Sequence, residues 1–169
     1  MKKYYLLLLV LMVFSACGYK PSAYYAKKLI GEKVYTEVDV SLSDPENAVL
    51  TKDALNMAFQ TRLKRKVAKK INADSSIYVF YKDIRFIPLQ YDRNGYVVFY
   101  QAHIILDFTF KKDKIVENRK IVGRFEFPIS PSAIISNDLR LKAIEKGSLK
   151  ALDEFITYLS AKGLLLDGQ

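Results

Sequence analysis

The sequence predicts an α+β two-layer sandwich, in the order strand-helix-strand-strand-strand-helix. Two helices are expected on one face of a mainly antiparallel four-stranded sheet. Three observations lead there. An alternating segment, Val34 to Leu42, precedes a helical one. Three long segments between Ile77 and Ile129 are separated only by short turn sequences. A last segment, running to about Lys162, carries apolar residues at helical spacing. Amphipathic helices and a sheet with one apolar face bury their apolar sides against each other, which gives the two layers.

The first strand reads KVYTEVDVSL, Lys33 to Leu42. Val34, Thr36, Val38, Val40 and Leu42 share one face and Glu37, Asp39 and Ser41 the other, the period of a half-buried strand. SDPE follows. Asp44 is the expected N-cap, Pro45 takes the first helical position and Glu46 lies in the first turn. This helix is expected to reach about Ile71. Its apolar residues Leu55, Phe59, Leu63, Val67 and Ile71 step by four, so the stripe drifts by about 40° per step. The helix must therefore bend, wrap across a twisted sheet or end early. Its second half carries Arg62, Lys64, Arg65, Lys66, Lys69 and Lys70, and no acid lies between Asp53 and Asp74.

NADSS, Asn72 to Ser76, breaks the helix. Ile77 to Tyr91 is a long strand in which Pro88 marks a bulge or an edge. DRNG, Asp92 to Gly95, is a hairpin turn, Asn-Gly being the preferred two-residue loop. Tyr96 to Phe110 pairs back, with apolar residues at its even positions. KKDK, Lys111 to Lys114, is the next turn, and Ile115 to Ile129 the next strand, with Ile121, Phe125, Phe127 and Ile129 on one face. Asn137-Asp138 opens the second helix. Its face carries Leu141, Ile144, Leu152, Phe155, Ile156 and Leu159; Gly147 weakens it by about 1 kcal/mol, and Gly163 is the expected C-cap.

Ahead of these elements, Lys2 and Lys3 precede the apolar run Tyr4 to Phe14 and the small residues Ser15 and Ala16. Charge, apolar run and small residues in this order make a secretory signal. The run is too short for a bilayer, which takes about 20 apolar residues. Cys17, the one cysteine, comes next, and the segment resembles a bacterial lipoprotein signal, with Phe14 where that pattern prefers Leu. In such proteins the cysteine becomes the first residue and carries acyl chains, a use suited to a nucleophilic thiolate. The plainer alternatives are an ordinary signal peptide with a stray cysteine, or a buried cysteine. An exported lone thiol invites unwanted disulfides, a hazard that acylation removes. Residues 1–16 are thus expected to be a cleaved lipoprotein signal peptide, 17–32 a lipidated tether and 33–169 a single domain. Cleavage takes two lysines from the 27 basic residues and none of the 18 acids, leaving a net charge of about +7. Asp after the cysteine favours inner-membrane retention in well-studied Gram-negative cells, so Gly18 points to the outer membrane, with the domain facing the periplasm.

The sequence predicts no enzyme. His103, the one histidine, sits mid-strand on the more polar face, where a structural role is the expectation. No metal-ligand spacing, nucleophile elbow, Walker loop or glycine-rich dinucleotide turn is present. No metal and no cofactor is expected beyond acyl chains on Cys17. Binding remains. Basic residues cluster on the first helix, at Arg93 and in KKDK. They are either a solvated surface or the contact for an anionic partner. Export argues against nucleic acid and for a phosphorylated glycolipid or an acidic protein surface. The 12 tyrosines suit an interface, though they are also good strand residues.

CGYKPS, Cys17 to Ser22, followed by strand, helix, meander and helix over the mature chain, resembles LptE, the outer-membrane lipoprotein partner of the lipopolysaccharide-assembly barrel LptD. The stretch Gly31 to Phe59 resembles the variant of Campylobacter-like bacteria. Tyr19 replaces the more usual Phe, and the HLRG that often follows is missing. The resemblance implies a plug inside a large β-barrel that assists the barrel's folding and binds lipopolysaccharide on its way to the cell surface. Arg93, and then Lys111, Lys112 and Lys114, are the expected contacts for lipid phosphate, through charge-assisted hydrogen bonds from hairpin tips. Two alternatives belong to other classes: an auxiliary lipoprotein of a membrane-lipid transporter, and a structural lipoprotein of an envelope machine.

Overall fold

The computed structural model describes residues 22–40, 45–62, 65–130 and 134–167. The signal segment, Cys17 and the expected cap at Asp44 lie outside them. The described elements are α1 (Ser22–Ile30), β1 (Lys33–Val40), α2 (Pro45–Arg62), β2 (Lys66–Val67), a 3₁₀ turn (Lys70–Asn72), β3 (Ser75–Tyr91), β4 (Val97–Lys112), β5 (Ile115–Pro128) and α3 (Asn137–Asp167). None of these helices is long and apolar enough to cross a membrane.

The sheet has five strands in the order β2-β1-β3-β4-β5. It is mixed, where the sequence predicted four mainly antiparallel strands. β3, β4 and β5 form the expected antiparallel meander. β1 instead runs parallel to both β2 and β3, with Val34 opposite Ser75 and Val40 opposite Tyr81. The reason is α2. Parallel neighbours need a crossover connection, which a helix supplies, whereas a tight turn can join only antiparallel strands.

The alternation seen in the sequence is the alternation of burial. Ile77, Val79 and Tyr81 of β3, Ala102, Ile104, Leu106, Phe108 and Phe110 of β4, and Ile121 and Phe127 of β5 are buried beneath the helices. Ala143, Ala151, Leu152, Phe155 and Leu159 of α3 join them in one core, and Ile144 is buried as well. Phe108 and Phe155 stack with ring centroids 4.5 Å apart. A side chain of this size adds about 2–3 kcal/mol on full burial.

Three further differences have physical causes. The helix expected to reach Ile71 stops at Arg62. Leu55 and Phe59 are buried in it, while Val67 lies in β2 and Ile71 in the 3₁₀ turn, both exposed; of the three outcomes a stripe drifting by about 40° per step allows, the helix takes the early end. The basic residues beyond Arg62 therefore leave the helix face. Second, the described residues hold three helices, where two were expected. Ser22–Ile30, read as part of the tether, is helical, and its Ala26, Leu29 and Ile30 are buried. Third, α3 continues through Gly163 to Asp167. Gly163 is no cap; it gives α1 room, since a Cβ there would lie 2.7 Å from the Tyr25 carbonyl oxygen.

β3 bulges beside Lys82, next to the last pairing with β1, and again beside Leu89, next to Pro88. Beyond Tyr81 β3 has no partner strand on its β1 side among the described residues, a position that tolerates Pro88. The DRNG turn encloses three residues rather than two, closed by Asp92 N–H donating to the Tyr96 carbonyl at 2.8 Å. Gly95 has φ +85° while Asn94 stays at negative φ. A two-residue type I′ loop would need both positive, and a type I turn ending on a left-handed glycine needs only the last.

Candidate functional site

The meander separates the predicted contact residues. β4 alone, at about 3.3 Å per residue, spans about 50 Å, with Arg93 beyond one end and Lys111, Lys112 and Lys114 at the other. They do not form one site. At the Arg93 end the Asp92 carboxylate accepts from the N–H groups of Asn94 and Tyr96, each at 2.9 Å. That carboxylate fixes the turn and leaves Arg93 exposed at its tip. Leu89, Tyr91 and Tyr96 are exposed around it.

At the opposite end the structure joins two basic groups that are far apart in sequence. Lys70, from the 3₁₀ turn, and Lys111, from the end of β4, both lie over the Tyr78 ring, 5.5 and 5.3 Å from its centroid. Tyr35 packs edge-on against the same ring at 6.0 Å. The Lys70 ammonium is held above its ordinary range, chiefly by its hydrogen bond to Tyr78. β2 brings Lys66 alongside Lys33. Lys112 donates to the Lys28 carbonyl at the end of α1, 3.4 Å away.

Asp74 holds this end together. Its carboxylate accepts from the N–H groups of Glu32 and Lys33, both at 2.8 Å. These two bonds hold it below the usual carboxylate range. Gly31 precedes them at φ +89°, a conformation that favours glycine. No local pattern shows this clamp, because Gly31 lies in the expected tether and Asp74 in the NADSS break, far apart in the chain.

The face of the sheet away from the helices is open and polar. His103 lies on it, between Arg85 and Arg124 in the register, with Nε2 against the Gln101 side-chain oxygen. Burial first, and then the two guanidiniums, hold its pKa below the ordinary value, so it is neutral at pH 7. A hollow of about 380 Å³ on this face is lined by Glu37, Asp39, Tyr78, Phe80, Asp107 and Thr109. Among the described residues no three His, Cys, Asp or Glu side chains could together hold a metal ion. On the other side of the molecule, an apolar groove of about 660 Å³ runs between α2 and α3, lined by Leu50, Met57, Leu141 and Leu149 with Asp53, Arg62 and Glu145. Leu141, expected in the core, is half exposed in it.

The fold is shared with solved proteins. The rare lipoprotein B of Shewanella oneidensis superposes with a TM-score of 0.50 at 15% identity, over 79% of this chain and 98% of that one. A Xanthomonas campestris protein of the DUF330 family gives 0.50 at 13% identity, over 82% and 88%. A lipoprotein B of Nitrosomonas europaea gives 0.50 at 15%, over 77% and 83%. No family model matches the sequence, and no curated protein does.

Proposed function

We propose that this chain is an envelope lipoprotein, anchored by acyl chains on Cys17, that partners and plugs the lipopolysaccharide-assembly barrel of the outer membrane. In that role it assists the barrel's folding and the insertion of lipopolysaccharide at the cell surface. The observation that carries the envelope-lipoprotein reading is the shared fold. Two of the similar structures are lipoproteins, and one of them is matched over 98% of its length. Cys17, directly after a short apolar run, adds the chemistry of an anchor. The barrel partner rests on the resemblance of the mature chain to LptE. The elongated shape is consistent with it, because a strand of about 50 Å backed by a 31-residue helix is stiff enough to fill a lumen.

The test is affinity purification of the acylated protein from detergent-solubilised outer membrane, followed by mass spectrometry. A large β-barrel in near-equal amount is the expected result. Recovery of an inner-membrane transporter with its ATPase would overturn the plug reading and leave an auxiliary lipoprotein of lipid transport.

A further inference from the structure

The end of the molecule that gathers Lys66, Lys69, Lys70, Lys111, Lys112 and Lys114 also exposes apolar side chains. Ile71, in the 3₁₀ turn, is 89% exposed. Leu164, Leu165 and Leu166, in the last turn of α3, are 52%, 68% and 42% exposed. Leu166 lines the same shallow hollow as Lys28, Lys112 and Asp113, so leucines and lysines form one surface. The acids described at this end are Glu32, Glu37, Asp74, Asp113, Glu117 and Asp167. Three of the six are committed: Asp74 to backbone N–H groups, Glu117 to Tyr158 and Lys162, and Glu37 to the Tyr35 hydroxyl. Exposed leucines ringed by lysines would be costly on a surface that faced only water. They match a membrane interface, where apolar side chains enter the headgroup boundary and lysines meet anionic lipid.

The chain's path points to the same occupant. α1 lies against this end, with Leu29 beside Gly163 and Leu166. It is about 13 Å long, and residues 17–21, which precede it, reach at most about 17 Å. Acyl chains on Cys17 would therefore hold the bilayer within about 30 Å of the lysines, close enough for this end to meet it.

We propose that, while the protein is outside the barrel, this lysine- and leucine-bearing end docks on the surface of an anionic phospholipid bilayer and stands the meander away from it, with the Arg93 hairpin at the far end. This rests on the anchor reading for its geometry, and the charge and apolar surface carry the docking itself. Each lysine near such a surface is worth roughly fivefold in partitioning at low salt.

The experiment uses the processed, acylated protein in vesicles of phosphatidylethanolamine with or without phosphatidylglycerol. A fluorophore is placed on Leu165→Cys or on Arg93→Cys, and quenching by brominated acyl chains is read. The expected result is quenching at position 165 but not at 93, only with the anionic lipid. It should be lost in 0.5 M salt and reduced at least tenfold in midpoint by Lys66→Glu with Lys70→Glu and Lys114→Glu. Protein that stays with the vesicles while neither position is quenched, or both equally, overturns the docking and leaves the anchor intact. Protein that washes off in high salt overturns the anchor. Docking is then decided by low-salt flotation: selective flotation with anionic vesicles upholds it, and no flotation overturns it.

Discussion

Gly123 in β5 and Gly147 in α3 meet backbone to backbone: a Cβ on Gly123 would lie 1.9 Å from the Gly147 carbonyl oxygen. This contact lets α3 lie low over the sheet, and it explains a glycine in the middle of a helix. The propensity cost of about 1 kcal/mol is offset by the close approach of α3 to Ile104 and to the Gly123 backbone.

The two glycines are not equivalent. Alanine at 123 would strike backbone, which cannot yield without lifting the helix. Alanine at 147 would strike the Ile104 Cδ1 atom, 2.1 Å from the added Cβ, and that side-chain end can rotate. Gly123→Ala is expected to cost about 3 kcal/mol. Gly147→Ala should cost no more than about 1 kcal/mol, because the gain in helix propensity offsets part of the crowding. Urea unfolding of the two variants measures this, and equal midpoints would contradict the asymmetry.

Glu117 ties β5 to α3. Its carboxylate accepts from the Tyr158 hydroxyl and from Lys162, the latter at 2.9 Å, and Arg119 lies 4.2 Å over the Tyr158 ring. The Tyr158 hydrogen bond and then Lys162 lower its pKa from the ordinary 4.5. A carboxylate with a depressed folded pKa contributes stability that is fully present above its unfolded pKa and lost as pH falls through the folded one. Glu117→Gln is expected to cost about 1–2 kcal/mol at pH 7. Its deficit relative to the parent should shrink below pH 4.5. A deficit that stays constant to pH 3 would show that the carboxylate charge is not the cause.

The elements and their faces were legible in the sequence wherever one period ran unbroken. β4 buries alternate residues from Ala102 to Phe110, and its even positions showed this directly. What was not legible came from partners distant in the chain. The end of α2 at Arg62 depends on where the stripe drifts off the sheet. α1 is too short to show a convincing period alone, and it becomes a helix because Ala26, Leu29 and Ile30 find α3. The basic residues were visible one by one. That Lys70 and Lys111 share the Tyr78 ring, while Arg93 lies at the opposite end, follows from register, which no single segment contains.

His103 offers a titration on the open face. Burial, and then Arg124 and Arg85, lower its pKa from the ordinary 6.5. Because the folded state disfavours the proton, stability is full above pH 6.5 and declines as pH falls from there through the lowered folded value. NMR titration of the ring is expected to give a midpoint below 6.5. Arg124→Gln should raise it only part of the way back, since burial is the larger cause. A full return to the ordinary value would make the guanidinium, not desolvation, the dominant influence.

The separation of Arg93 from the Lys111–Lys114 turn constrains how the proposed lipopolysaccharide binding can be distributed. Ends about 50 Å apart share no partners, so one lipopolysaccharide fragment does not contact both. Arg93→Gln and the combined Lys111→Gln, Lys112→Gln and Lys114→Gln variant are each expected to weaken fragment binding at their own end and to leave the other end unchanged. The protein carrying all four changes should show both losses side by side. The lysine turn should carry the steeper salt dependence, because Lys70 and Lys66 add to its field, whereas Arg93 stands as a lone exposed charge worth at most about 1 kcal/mol. Calorimetric titration of lipopolysaccharide fragments into the four proteins, at two ionic strengths, measures all of this. If either single variant abolished binding, so that the other had no further effect, one end alone would hold the ligand and the opposite hairpin would be free for a different partner.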